Sequence, residues 1–192
     1  MERIGKMSQI WFTSDLHLCH DKEFVWKNRG FNSIEEMNQA IVDRFNSKIQ
    51  PDDTLYILGD VMLNDNKTAE EYLAQINGKK IFIRGNHDTN TRVELYRKYT
   101  DEEIKWADVI KVRGRIIYLS HYPTYTANAD DVFQKMTFNF HGHTHQICDF
   151  STNGIYMYHV GVDSHGCYPV SIDEIFEDIV QMKVYEEELE EI

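Results

Sequence analysis

Five short polar blocks, each set directly behind an apolar strand-like run, constrain this chain more than any other feature. They are Asp15-Leu16-His17, Gly59-Asp60, Gly85-Asn86-His87-Asp88, Ser120-His121 and Gly142-His143-Thr144-His145. The runs before them are Ile10 to Thr13, Thr54 to Leu58, Lys80 to Arg84, Arg115 to Leu119 and Met136 to Phe140. In the first half these runs alternate with helix-like stretches; the second half is mostly strand. That order predicts an α/β domain whose central sheets are flanked by helices. Ligands of open α/β sheets gather beyond the carboxyl ends of the strands, so five such ends rich in His, Asp and Asn are expected to converge.

The intervening segments carry their own signals. Ser33-Ile34-Glu35-Glu36 reads as a capping box for a helix over 33–49, with Ile34, Met37, Ile41, Phe45 and Ile49 on one face. A second helix is expected over 68–76, boxed by Thr68 and Glu71 and stopped at Asn77-Gly78, and a third over 91–99. Val109 to Val112 and Arg115 to Leu119 flank Arg113-Gly114 as a hairpin. Ile155 to Val160 is a further strand, and 171–179 reads as a turn running into a strand. The stretch 186–192 holds five acids and reads as a solvated, frayed tail.

Charge and cysteine content bound the partners. The net charge is -12, and setting the tail's five acids aside leaves the body near -7. Such a body repels a long polyanion, so polymeric nucleic acid is disfavoured as a partner. No stretch of about 18 apolar residues occurs, which excludes a membrane-spanning helix. Met1 to Lys6 is charged and lacks the apolar middle of a secretory signal. Cys19, Cys148 and Cys167 are odd in number and widely spaced, as free thiols of a reducing cytoplasm are. One cytoplasmic domain over 1–192 is expected.

The residue types of the five blocks suit a hard or borderline metal pair. Histidine, carboxylate and amide oxygen favour manganese, iron or zinc, and no thiolate is on offer. Asp15/His17 and His143/His145 are i, i+2 pairs, which share one side of an extended chain. A carboxylate has two oxygens, so Asp60 can bridge two ions, and ions about 3.5–4 Å apart are the usual arrangement for displacement at phosphorus. Each block alone has a plainer reading: Asp-x-His is common, Gly-Asp is more often a turn, and Ser120-His121 is more often structural. Gly-Asn-His-Asp and Gly-His-Thr-His each arise by accident in roughly one chain in a thousand of this length. Their occurrence together, in order and at strand ends, favours one metal site over five unrelated turns.

With these residues the chain resembles the calcineurin-like metallophosphoesterases, over about 9–179 and closest to short bacterial and phage-type members. The family pattern runs Asp-x-His, Gly-Asp, Gly-Asn-His-Asp/Glu, a lone His, then Gly-His-x-His, and all five blocks are present in order. The resemblance implies two mixed β-sheets packed face to face with flanking helices. It implies one ion held by Asp15, His17, Asp60 and His145, and a second held by Asp60, Asn86, His121 and His143. It places His87 toward the leaving group or the phosphate. One departure stands out: the protein-phosphatase branch reads Gly-Asp-x-x-Asp-Arg-Gly, whereas Leu63 and Asn64 stand here for its acid and its phosphate-gripping arginine. That argues against protein phosphatase activity.

The expected function is hydrolysis of a small phosphate ester, a diester before a monoester, by a hydroxide bridging two divalent ions. Manganese or iron is expected first, with zinc or nickel as alternatives. Asn86 is expected to position the phosphate and His87 to stabilise or protonate the leaving group. A nuclease and a non-catalytic metal-binding scaffold of the same fold are the competing readings. His20 is placed near the substrate or in an exposed loop, His141 in an ordinary strand position or behind the ligands, and His159 and His165 in structural roles. Substrate choice is expected in the loops 20–32 and 122–135.

Overall fold

Three short apolar runs, Ile10–Thr13 (β1), Thr54–Leu58 (β2) and Lys79–Ile83 (β3), pair in parallel. Parallel neighbours need crossover connections, which helices supply. Glu23–Trp26 (α1) and Ile34–Lys48 (α2) lie between β1 and β2, and Asn66–Gln75 (α3) lies between β2 and β3. The computed structural model describes residues 8–124, 137–145, 150–152 and 155–190. After β3 come Asn90–Tyr96 (α4), Ala107–Val112 (β4), Arg115–Ser120 (β5), Thr137–His141 (β6), Phe150–Thr152 (β7), Ile155–His159 (β8), Val170–Ser171 (β9) and Ile172–Glu190 (α5).

Two mixed sheets result. One has the order β3-β2-β1-β9 with β9 antiparallel; the other has the order β4-β5-β6-β8-β7 with β4 and β7 antiparallel. They pack face to face as the resemblance implies. Phe12, Leu58 and Ile83 of the first sheet share a buried core with Ile117, Leu119, Phe140 and Tyr158 of the second. The Phe12 and Phe140 rings meet edge-on at 5.0 Å. The alternate residues Trp11, Leu55, Ile57 and Phe82 face the other way, onto Met37, Ile41 and Phe45 of α2 and Leu73 of α3. A sheet covered on both faces explains why these strands read as nearly continuous apolar runs.

Three expectations are corrected. The stretch 171–179 is the start of α5, not a turn and strand. Ser171 and Glu174 close a reciprocal cap, with Glu174 N–H donating to Ser171 Oγ at 3.2 Å and Ser171 N–H to Glu174 Oε2 at 2.7 Å. Ile172, Ile175 and Ile179 then form the buried stripe of a helix. The helix runs on to Glu190, so most of the acidic stretch 186–192 is helical and not frayed. Finally, α3 begins earlier than its predicted box: Asp65 accepts from the N–H groups of Lys67 and Thr68, and Thr68 sits inside the helix. Cys19 and Cys167 are free and buried, while Cys148 lies outside the described residues. Among the described residues no helix is long and apolar enough to cross a membrane.

Candidate metal centre

The blocks follow β1, β2, β3, β5 and β6, and the parallel pairings within each sheet carry their ends to one side. Backbone bonds stitch the ends together: Asp15 N–H donates to Gly59 O, His17 N–H to Asp60 O, and Gly142 N–H to His121 O, each at 3.0 Å. The i, i+2 pairs converge, but not as extended chain. Asp15, His17, Asp60, His143 and His145 all have φ between 50° and 69°. This left-handed backbone is uncommon for residues with a Cβ and costs of order 1 kcal/mol or more each. Five such residues in one cleft show that the surrounding fold holds them there. Two glycines make room: a Cβ on Gly85 would come within 2.2 Å of Asp60 Oδ1, and one on Gly142 within 2.2 Å of Asp15 Oδ2.

The carboxylates are each half-satisfied. Asp15 Oδ2 accepts from Ser14 Oγ at 2.6 Å and His143 N–H at 3.0 Å, while its buried Oδ1 has no hydrogen-bond partner among the described residues. Asp60 Oδ1 accepts from His87 N–H at 2.9 Å, and Oδ2 faces His121 Nε2 at 3.4 Å and His17 Nε2 at 4.0 Å. His145 Nε2 lies 3.7 Å from Asp15 Oδ1 and 3.3 Å from His17 Nε2. Asn86 Oδ1 lies 2.8 Å from His121 Nε2 and 3.0 Å from His143 Nδ1. Ligands about 2.1 Å from an ion sit about 3.0 Å apart at right angles and about 3.4 Å apart in a tetrahedron. The spacings therefore suit shared coordination, and a buried orphan carboxylate oxygen is what a cation would satisfy.

The structure thus brings all seven expected ligand residues into one cleft. By distance they fall into Asp15, His17 and His145, and into Asp15, Asp60 and His121, with Asn86 and His143 beside His121. Asp15 joins both groups, whereas the resemblance assigned it to the first alone. His87 is placed differently from the ligands: its ring is half-exposed, 3.9 Å from Asp60 Oδ2 and 5.7 Å from the His17 ring. Among the described residues Asp60 is the one carboxylate within 4.0 Å of that ring.

Three supporting residues were not singled out from the sequence. Asp163 Oδ2 accepts from His145 Nδ1 at 2.8 Å, which leaves His145 Nε2 for an ion. Arg29, almost fully buried, donates to both Asp163 oxygens at 2.8 and 2.9 Å and to the carbonyls of Asp15 and Leu16. Asp88, the last residue of its block, accepts from the N–H groups of Asp60 and Gly85 and from Tyr96 Oη. On the other side His121 Nδ1 donates to Leu58 O at 2.8 Å, again freeing Nε2. Arg29 and Asp163 are single residues in loops and give no spacing signal.

The electrostatics describe a cleft short of positive charge. Burial pushes the Asp15 carboxyl up, and His121 and His145 offset this only in part. Burial opposes a proton on His121, but Asp60 and Asp15 beside it outweigh that and raise it to about 9. Burial, with Arg29 nearby, drives His17 down to about 2, so its imidazole is neutral and could serve a cation. Burial would raise Asp163, but the bonds from His145 and Arg29 hold it well below the usual carboxylate range.

A cavity of about 830 Å³ opens beside the ligands, walled on this side by His17, His20, His87 and His145. His20 is therefore a cavity residue, its ring 5.3 Å from that of His17. His141 and His159 are buried with rings 5.4 Å apart, and His165 donates to His159 O.

A family model described as the calcineurin-like phosphoesterase superfamily domain matches residues 9–163. An uncharacterised protein, MJ1445, of Methanocaldococcus jannaschii is 34% identical over 143 residues, covering 72% of this chain and 70% of that protein. The Gene 66 protein of Mycobacterium phage L5 is 31% identical over 208 residues, covering 95% and 98%. Among solved structures, the protein AQ665 of Aquifex aeolicus, of unknown function, superposes with a TM-score of 0.69 at 25% identity, covering 88% of this chain and 98% of that one.

Proposed function

This chain belongs to the calcineurin-like phosphoesterase superfamily, and from that premise we propose that it is a metal-dependent hydrolase of a small phosphate ester, a diester before a monoester. The observation that carries the reading is the pair of half-satisfied carboxylates. Asp15 and Asp60 each have one oxygen held by the protein and one turned toward histidine nitrogens that are themselves oriented. Asp15, His17, Asp60 and His145 would hold one divalent ion, and Asp60, Asn86, His121 and His143 a second, manganese or iron before zinc or nickel. Bound ions supply hydroxide at neutral pH and neutralise phosphate oxygens.

The rest is done by side chains of the chain itself. Asn86 fixes the phosphate relative to His121 and His143. His87 faces the open side of the cleft, where it stabilises or protonates the departing oxygen. The preference for a diester rests on the lack of a spare cation to grip a second negative charge. Asn64 stands where one branch of the family has an arginine, and Arg29, the one permanent cation among the described residues lining the cavity, is taken by Asp163. The net charge of -12 disfavours a long polyanion.

The test is turnover of metal-stripped protein reloaded separately with manganese, iron, nickel and zinc. Bis(p-nitrophenyl) phosphate is expected to exceed p-nitrophenyl phosphate, a phosphopeptide and a DNA oligomer in kcat/KM. Metal-independent turnover, or none with any ion, would remove the hydrolase reading in favour of a binding scaffold. Faster cleavage of the oligomer would favour a nuclease.

A further inference from the structure

The cavity beside the ligands has two unlike ends. One is the histidine wall; the other, called the outer end because Phe24 and Asn28 stand exposed there over buried Val25, Val162 and Cys167, is completed by Gly166. Between them lie Arg29 and Asp163, whose charges cancel in a two-point ion pair. The outer end therefore offers no net charge to a ligand. Phe24 projects there from α1 and is 65% exposed, a large uncovered area for an apolar ring. Among the described residues the one ring in contact with it is His20, at 5.9 Å and nearly perpendicular. Asn28, one turn further on and also exposed, makes no hydrogen bond within the described residues, so its amide has both a donor and an acceptor to spare.

Resting on the phosphoester reading above, we infer that this outer end binds the uncharged, planar base of a small nucleotide ester, with Phe24 as its stacking surface and Asn28 reading its edge. Among the described residues that line the cavity, a second phosphate or a carboxylate would meet no unpaired cation at that end. A plain alkyl chain would leave the Asn28 amide unmatched. A heteroaromatic base satisfies both features, because it has a π face for Phe24 and an edge of donors and acceptors for Asn28. A cavity of this size is in the usual range for a small organic ligand. The loop 20–32, expected from sequence to govern substrate choice, is the segment that supplies Phe24 and Asn28.

The decisive experiment separates the cavity from the chemistry. Adenosine and thymidine, which carry no phosphate, are titrated into the protein in EDTA and followed by NMR. Saturable binding is expected, weakened about tenfold by Phe24→Ala and recovered by Phe24→Trp. Binding that is absent at millimolar nucleoside, or untouched by Phe24→Ala, overturns the inference. In manganese, kcat/KM for thymidine 5′-(p-nitrophenyl) phosphate should exceed that for methyl p-nitrophenyl phosphate, and Phe24→Ala should bring the ratio toward one. A wild-type ratio near one also overturns it. If neither ester turns over, the phosphoester reading fails, while the nucleoside titration still decides what the cavity holds.

Discussion

The two halves of the candidate metal centre are held by different means. Around His145 and His17 the support is a side-chain relay: Arg29 grips Asp163 and the Asp15 and Leu16 carbonyls, and Asp163 orients His145. Around His121 and Asn86 the support is anchored in the strand ends: Leu58 O orients His121, and the Asp88 carboxylate gathers the backbone N–H groups that shape the Gly59-Asp60 and Gly85-Asn86 turns. The first half hangs on two loop residues far apart in sequence. The second is continuous with the sheets. A support made of side chains can be removed with the sheets intact; one made of strand ends cannot be removed without loosening the fold.

The largest effect should come from Asp60, which the two proposed ligand sets share. Asp60→Asn keeps the shape but loses the charge that faces His17 and His121, so activity should fall by at least about a thousandfold. Metal content measured by plasma mass spectrometry should fall in the same variant. A variant that keeps two ions per chain would show that the halves do not share Asp60. His87 belongs to neither half. His87→Ala should lower turnover by about a hundredfold or more on esters with poor leaving groups, and by less on nitrophenyl esters. Its ion content should stay at the wild-type value; loss of metal would make His87 a ligand.

The halves themselves are compared by two substitutions. Asp163→Ala removes the partner of His145 and should weaken metal binding by about 10- to 100-fold, as losses behind a metal-bound histidine do. Asp163→Ala by itself leaves the buried Arg29 unpaired and should lower the melting point, whereas the fully loaded Arg29→Met/Asp163→Ala double variant, which buries no lone charge, should melt close to wild type. Asp88→Asn strips an acceptor from buried N–H groups and should cost about 1–3 kcal/mol, read as a melting point several degrees lower. If that double variant lowers the melting point more than Asp88→Asn does, the contrast between the two supports is wrong.

The same contrast explains what the sequence could reveal. The convergence of the candidate residues was legible because they are rare residue types beside glycines that must approach a carboxylate, as Gly85 and Gly142 do. The strands were legible because both faces of the first sheet are buried, which leaves continuous apolar runs. Arg29 and Asp163 were not, because a lone arginine and a lone aspartate in loops look the same whether or not they meet in space. The left-handed conformation of Asp15, His17, Asp60, His143 and His145 was hidden too, since it is imposed by neighbouring turns and not by those residues' own preferences. The start of α5 is different: Ser171-Ile172-Asp173-Glu174 is a capping box followed by apolar residues at helical spacing, so its signal is present in the sequence.

The smallest effect tests the comparison through protons. In the metal-free protein His17 is held neutral down to about 2, whereas His121 is raised to about 9 from an ordinary 6.5. A group with a raised folded-state pKa contributes stability that is complete below its unfolded value and disappears as pH climbs through the folded one. For His121 that window is pH 6.5 to about 9, and it belongs to the second half of the site. His17 is neutral across it and contributes no slope. Lys80, lowered to about 8 by burial near the start of β3, adds an opposite slope above pH 8, and His145 in the first half, raised by its bond to Asp163, adds a slope of the same sign as His121, so the interval to compare is pH 6.5 to 8. Across it His121 alone should cost the metal-free wild type about 2 kcal/mol, with a further loss from His145, seen as a melting point that drops by several degrees. His121→Gln should flatten most of that slope, and His17→Gln should not. Manganese should flatten it as well, because an ion on Nε2 replaces the proton there. An equal flattening by His17→Gln would mean that the two halves titrate as one, and that the division between a side-chain-held half and one anchored in the strand ends has no electrostatic counterpart.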